Sequence, residues 1–188
     1  MVERPDGRRK RSEVSREKLI AAMIDLVGEG HVTPSADLVA DRAGVGLRTV
    51  FRHFADMEAL YVGMSAQLAG QYAGWLDPFT ASDWRGQLSE MMIRRVDTYE
   101  RLMPYKRAAD AHRHASATIQ RNHAEILATM RERLLALLPS AIAQDVVRRE
   151  TIDLMLSFET WQRLRVDQQL PAATARAVVA AAIAGLTA

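Results

Sequence analysis

Residues 35–54, Ser-Ala-Asp-Leu-Val-Ala-Asp-Arg-Ala-Gly-Val-Gly-Leu-Arg-Thr-Val-Phe-Arg-His-Phe, constrain the fold more than any other stretch. Ala40, Gly44 and Val50 fall where two short helices must cross at a sharp angle. Ala40 is small enough to let the second helix approach. Gly44 can take positive φ, which ends the first helix and turns the chain without a Cβ clash. Val45 and Val50 are predicted to face back into the corner, with Arg48, Thr49 and Arg52 pointing away. This is the shape of a helix-turn-helix, whose second helix, here about Leu47–His53, suits a DNA major groove.

The rest of the chain bounds the context. A length of 188 residues, 48% of them hydrophobic, can bury a substantial core as one domain or as a small and a larger one. No apolar run reaches membrane-spanning length and the N-terminus is charged, which predicts a cytoplasmic protein without signal peptide or membrane partner. The absence of cysteine excludes disulfides, thiolate chemistry and Cys-ligated zinc. The net charge is only +2, but residues 1–11 alone carry five basic and two acidic side chains. Arg8, Arg9, Lys10 and Arg11 therefore read as a flexible basic arm over 1–11, able to track phosphates or enter a minor groove.

Periodicity predicts an all-α chain of about nine helices. Prolines 5, 34, 78, 104, 139 and 171 all read as helix boundaries. A first helix begins near Ser12–Ser15, with Leu19, Ala22, Met23, Leu26 and Val27 on one face. Ser35 is the expected N-cap of the second helix, with Asp37 in its first turn. Asp56 caps a fourth helix that runs from Met57 towards Pro78. Further helices are expected over Asp83–Met103, Pro104–His114, Ala115–Leu138, Asp145–Asp167 and Pro171–Leu186. The domains read as a head over 12–56 and a helical domain over 57–188. Asp145–Asp167 is apolar almost all round and the last helix is rich in alanine. Both patterns fit a helix pair covered on one side by a second subunit, through Val147, Leu154, Trp161, Val178, Val179 and Ile183.

Residues 15–62 resemble the TetR (tetracycline-repressor-type) family of transcriptional regulators. The resemblance rests on Val39-Ala-Asp-Arg-Ala-Gly-Val45, Thr49-Val-Phe-Arg-His-Phe54 and Glu58-Ala-Leu60. Beyond residue 65 it rests on helix number and length. It implies a homodimer with a three-helix DNA-binding head, a palindromic double-stranded operator, and a larger domain holding a small-molecule effector and the dimer bundle. Carried onto this chain, the DNA-facing residues are Ser35, Gly46, Leu47, Arg48, Thr49, Phe51, Arg52 and His53, with the arm at Arg8–Arg11. Arg48 and Arg52 suit guanine edges or phosphates. Ser35 suits a phosphate at a helix N-terminus.

Four positions depart from the family's pattern. Phe51 replaces a common Tyr, which removes a phenolic phosphate contact and leaves packing as its alternative role. Met57 replaces a common Lys, and Gly46 a Ser or Thr cap. Asp37 stands where basic or polar residues are frequent. The arm is then expected to carry a larger share of the electrostatic affinity.

Trp75, Met92, Tyr99, Met103, Met155, Phe158 and Trp161 are large side chains on helices expected to surround an effector site, and as a group they favour an apolar or aromatic molecule. Met and aromatic stripes are more often plain core. Nothing points to an enzyme or a cofactor: no phosphate loop or nucleophile elbow is present. His112 and His114 project about 200° apart on a helix, which is poor metal geometry. The reading is a homodimeric regulator acting as a repressor. Its rival is an all-α protein-interaction module without sequence-specific DNA binding.

Overall fold

The computed structural model describes the backbone of residues 7–188, with the side chains of residues 12–70 and 74–188. Ten α-helices, one 3₁₀ stretch and one π turn account for the described chain, with no β-strand among the described residues. The fold is all-α, as the periodicity predicts. The chain divides into two compact units. Unit 1 contains Met1–Gly70 and Pro104–Arg121; unit 2 contains Gln71–Met103 and Asn122–Ala188. The head expected over 12–56 thus lies in unit 1, together with the fourth helix and the 104–121 segment.

Unit 1 is built on α1 (Gly7–Gly28), α2 (Ala36–Ala43), α3 (Leu47–His53) and α4 (Met57–Leu68). Leu19, Met23 and Leu26 of α1 are fully buried, as are Val39 of α2 and Leu60 of α4. A Cβ on Gly63 would meet Ile20 at 3.3 Å and Phe54 at 3.4 Å, so the bare glycine lets α4 lie close to α1. The Tyr61 hydroxyl donates to the Val32 carbonyl at 2.6 Å, which ties the α1–α2 loop to α4. The 104–121 segment joins the same unit through two contacts on α4. Ser116 Oγ donates to Glu58 Oε1 at 2.6 Å, and the His112 ring lies 4.0 Å from that of Tyr61.

The start of α1 corrects one expectation. The helix begins at Gly7, so the backbone of Arg8–Arg11 is helical and not an extended arm. A run of long, straight side chains has good intrinsic helix propensity, and α1 simply extends through it. Residues 1–6 of the expected arm, and the side chains of Arg8, Arg9, Lys10 and Arg11, lie outside the described residues.

Unit 2 contains the first two thirds of α5 (Trp84–Arg113) and most of α6 (Ala117–Leu137). It continues through α7 (Ser140–Ala143), α8 (Val146–Met155), α9 (Phe158–Gln162), the π turn Arg163–Asp167 and α10 (Ala172–Thr187). Its core brings together Leu88, Val96, Leu134, Ile152, Leu156 and Val179. Two boundaries differ from the sequence reading. Pro104 lies inside α5, where two helices were expected. Proline's fixed φ is helical, so the cost is one missing amide donor and a steric conflict one turn back. Conversely, the single helix expected over Asp145–Asp167 is broken, because Ser157 caps a new start by accepting from Thr160 N at 3.1 Å. No helix among the described residues is long and apolar enough to cross a membrane.

Candidate nucleic-acid interface

The corner forms as its residues dictate. Ser35 is the N-cap of α2, its Oγ accepting from Leu38 N at 3.2 Å. Such a cap is worth about 1 kcal/mol. The hydroxyl proton is left to donate outward, which is compatible with a phosphate contact. Gly44 ends α2 at φ 66°, ψ 37°, and Val45 N donates back to Ala40 O at 3.0 Å. Val50, 1% exposed, and Val39, fully buried, seal the corner. Gly46 is the N-cap of α3 and supplies no side-chain bond.

These anchors fix which face of α3 looks outward. Leu47, Arg48, Phe51 and Arg52 are all exposed, at spacings that place them on one side of the helix. Thr49 is half-buried on the flank. Arg48 and Arg52 have no ion pair among the described residues, so both guanidiniums are available to a ligand. Phe51 is 50% exposed, which sets it on the outward face with the arginines and not in the packed corner. An exposed Leu47 and Phe51 between two arginines form a mixed face able to meet thymine methyls and guanine edges together.

His53 departs from its expected role. Its Nε2 is buried without a hydrogen-bond partner among the described residues. Burial, then repulsion from Arg52 and Arg16, holds its pKa below the ordinary value. A ring kept neutral offers no cation to a phosphate. Arg16 is the residue the sequence reading missed: exposed on α1, its guanidinium sits 5.1 Å from the Phe54 ring centre beside the end of α3. Arg42 contributes less than its charge suggests, since Glu29 holds it with two bonds of 2.8 and 2.7 Å.

Both histidines predict acid sensitivity. His112 Nε2 is also buried without a partner among the described residues, and burial lowers its pKa. Above about pH 6.5 both rings are neutral whether the chain is folded or not. Below that value the unfolded chain takes up protons that the folded one resists, so stability falls as pH drops. The melting temperature is expected to decline between pH 7.5 and 5.5, with a shallower slope in the His53→Gln, His112→Gln double variant. An equal slope in both proteins would refute the assignment.

The residues expected at an effector site do come together. Met92, Tyr99, Phe158 and Trp161 are buried in the unit 2 core, with Trp75, Met103 and Met155 packed against it. Tyr99 stands edge-on to Trp75 at 5.7 Å and to Phe158 at 5.5 Å. Their polar atoms are engaged: Trp161 Nε1 donates to Glu100 at 3.0 Å, and Tyr99 OH donates to Leu156 O at 3.0 Å.

The expected interface residues divide. Trp161, Val179 and Ile183 are buried in unit 2 itself, so they are not open to a partner. Val147, Leu154 and Val178 are 76%, 57% and 42% exposed. Asp110 is held by Lys106 at 2.7 Å, and no metal-holding group of three or more ligands occurs among the described residues.

A helix-turn-helix corner set in an all-α chain defines the class of fold. No family model matches the chain, and no curated protein is similar to it. Among solved structures, the chain is similar to the putative transcriptional regulator SCO7518 from Streptomyces coelicolor A3(2). The TM-score is 0.63 and the identity 20%, with 92% of this chain and 98% of that one covered. At that identity the likeness is one of fold, and it extends through both units.

Proposed function

We propose that the chain is a homodimeric, DNA-binding transcriptional regulator of the TetR type. It acts in the cytoplasm as a repressor that a small apolar or aromatic effector releases from a palindromic operator. The outward face of α3 carries this reading: two arginines without described partners flank an exposed Phe51. The fold shared with a protein named as a transcriptional regulator supports it. Each head would read one half-site, with the half-sites separated by whole helical turns. The effector would act by binding one dimer geometry more tightly than the other. No catalytic or cofactor role is assigned to any residue.

Support for the dimer comes from α8 and α10, which pack on each other. The charges of α8 are held within unit 2: Arg148 donates to Leu186 O at 2.9 Å, while Arg131 binds Glu150 at 2.5 Å and Asp153 at 2.7 Å. The Arg131 and Arg149 guanidiniums pull Glu150 down to a pKa of about 2. The exposed residues of the pair include Val146, Val147 and Leu154 of α8 and Ala177, Val178 and Ala181 of α10, all apolar.

Selection of bound duplexes from random DNA is the direct test. A palindromic consensus is expected, and affinity for it should fall about 10³- to 10⁵-fold between 50 and 200 mM salt if some six to ten phosphates are contacted. Absent or salt-insensitive binding would favour the protein-interaction module instead.

A further inference from the structure

Arg95 is the most anomalous side chain of unit 2. Leu88, Met92, Tyr99 and Leu102 of α5 recur at helical spacing and are all buried, and Arg95 occupies the position in that stripe where an apolar residue belongs. It is only 4% exposed. No carboxylate is ion-paired with it among the described residues. Buried charges are ordinarily paired, because an unpaired one is costly to desolvate.

Its bonds do not account for the charge. Arg95 Nη2 donates to Met130 O at 2.7 Å and Nη1 reaches Leu156 O at 3.5 Å, the edge of hydrogen-bonding distance. Neither carbonyl depends on it. Leu156 O already accepts from Tyr99 OH, and from Arg95 only at the longer distance. Met130 lies inside α6, where the helix supplies the amide four residues on. A neutral glutamine would suffice as a brace. Asp153 attracts Arg95 through space but is bonded to Arg131, while Arg133 repels it. Arg133 donates through its two Nη atoms to Leu76 O and Asp77 O and lies over the Phe79 ring at 4.3 Å, but its buried Nε has no partner among the described residues.

We propose that unit 2 binds a small carboxylic acid with an apolar or aromatic body. Its carboxylate is held by Arg95 with Arg133 as a second donor, and its body lies against Trp75, Tyr99 and Phe158. The inference rests on the effector reading above and sharpens its ligand class from apolar to acidic. A carboxylate meets the guanidinium with full opposite charge and can take two parallel bonds, which a single neutral carbonyl cannot, so the anion displaces Leu156 O, which keeps its bond from Tyr99 OH. Leu156 is the residue at which α8 ends, so the exchange is felt on the helix that carries Val147 and Leu154.

The test uses matched acid and neutral probes on the full chain: phenylacetate against phenylacetamide, and octanoate against octanol, by calorimetry. At least one acid is expected to bind about tenfold or more tightly than its neutral match. Arg95→Gln should bring that acid down to the level of the neutral probe, and Arg133→Gln should reduce the gap in part. If Arg95→Gln fails to fold, the half-buried Arg133→Gln decides alone. No binding of either acid, equal binding within both pairs, or an acid preference intact in the variants overturns the proposal. Acids that bind without releasing the selected operator leave the site standing and sink the effector reading. Neutral molecules that release DNA with no acid preference do the reverse.

Discussion

Replacing Arg48 and Arg52 together by alanine is expected to abolish selective operator binding while the protein stays folded. Each bidentate arginine–guanine contact is worth about 1–3 kcal/mol of discrimination, so each single variant should lose about tenfold to a hundredfold in specific affinity. Folding should be spared because both side chains are exposed and have no ion pair among the described residues. Surface truncations of that kind usually change stability by no more than about 0.5 kcal/mol. The measurement is fluorescence anisotropy on the selected operator and on scrambled DNA, beside a thermal melt. Phe51→Ala makes an informative companion, since an exposed ring that reads thymine methyls loses affinity only at A·T positions. If both arginine variants bind the operator like the parent, the outward face of α3 has been misassigned.

The parts of this head that the sequence disclosed are those fixed locally. Gly44 needs positive φ, Ser35 and Asp56 each bond an amide three residues on, and all three behave as their residue types dictate. What it concealed depends on burial from a distance. His53 reads as a DNA-facing residue at the end of the recognition helix, yet its Nε2 is buried by packing that no local pattern reports. Arg16 lies far along the chain from α3 and reaches it only through the fold.

Unit 2 shows the same division. The stretch Asp145–Asp167, apolar almost all round, reads as one helix covered on two sides. The break at Ser157 instead turns Phe158 and Trp161 into the core and leaves Val147 and Leu154 outside. Core and pocket use the same residue types, so the seven side chains assigned to an effector gathered as expected without disclosing what they surround. The useful signal was Arg95 breaking the apolar stripe of α5, and a reading that counts charged residues as solvated passes over it.

Charging the exposed face of α8 and α10 should produce the second large effect. Leu154→Glu and Val178→Glu each place a carboxylate on a surface that is open in the single chain, 57% and 42% exposed, so neither should unfold unit 2. In a two-fold dimer each substitution occurs twice across one self-complementary interface. Two desolvated or opposed carboxylates cost several kcal/mol, enough to move a micromolar sample to monomer by sedimentation or light scattering. Operator affinity should then fall by about 10²- to 10⁴-fold, because the second head no longer gains from the first being bound. A half-site duplex supplies the control, since the monomer should bind it as well as the parent head does. Trp161 cannot serve in this test: at 1% exposure, a charge there would unfold unit 2 whether or not it touched a partner. Retention of the dimer by both glutamate variants, at unchanged operator affinity, would show that subunits meet elsewhere and that Val147, Leu154 and Val178 face solvent in the working protein.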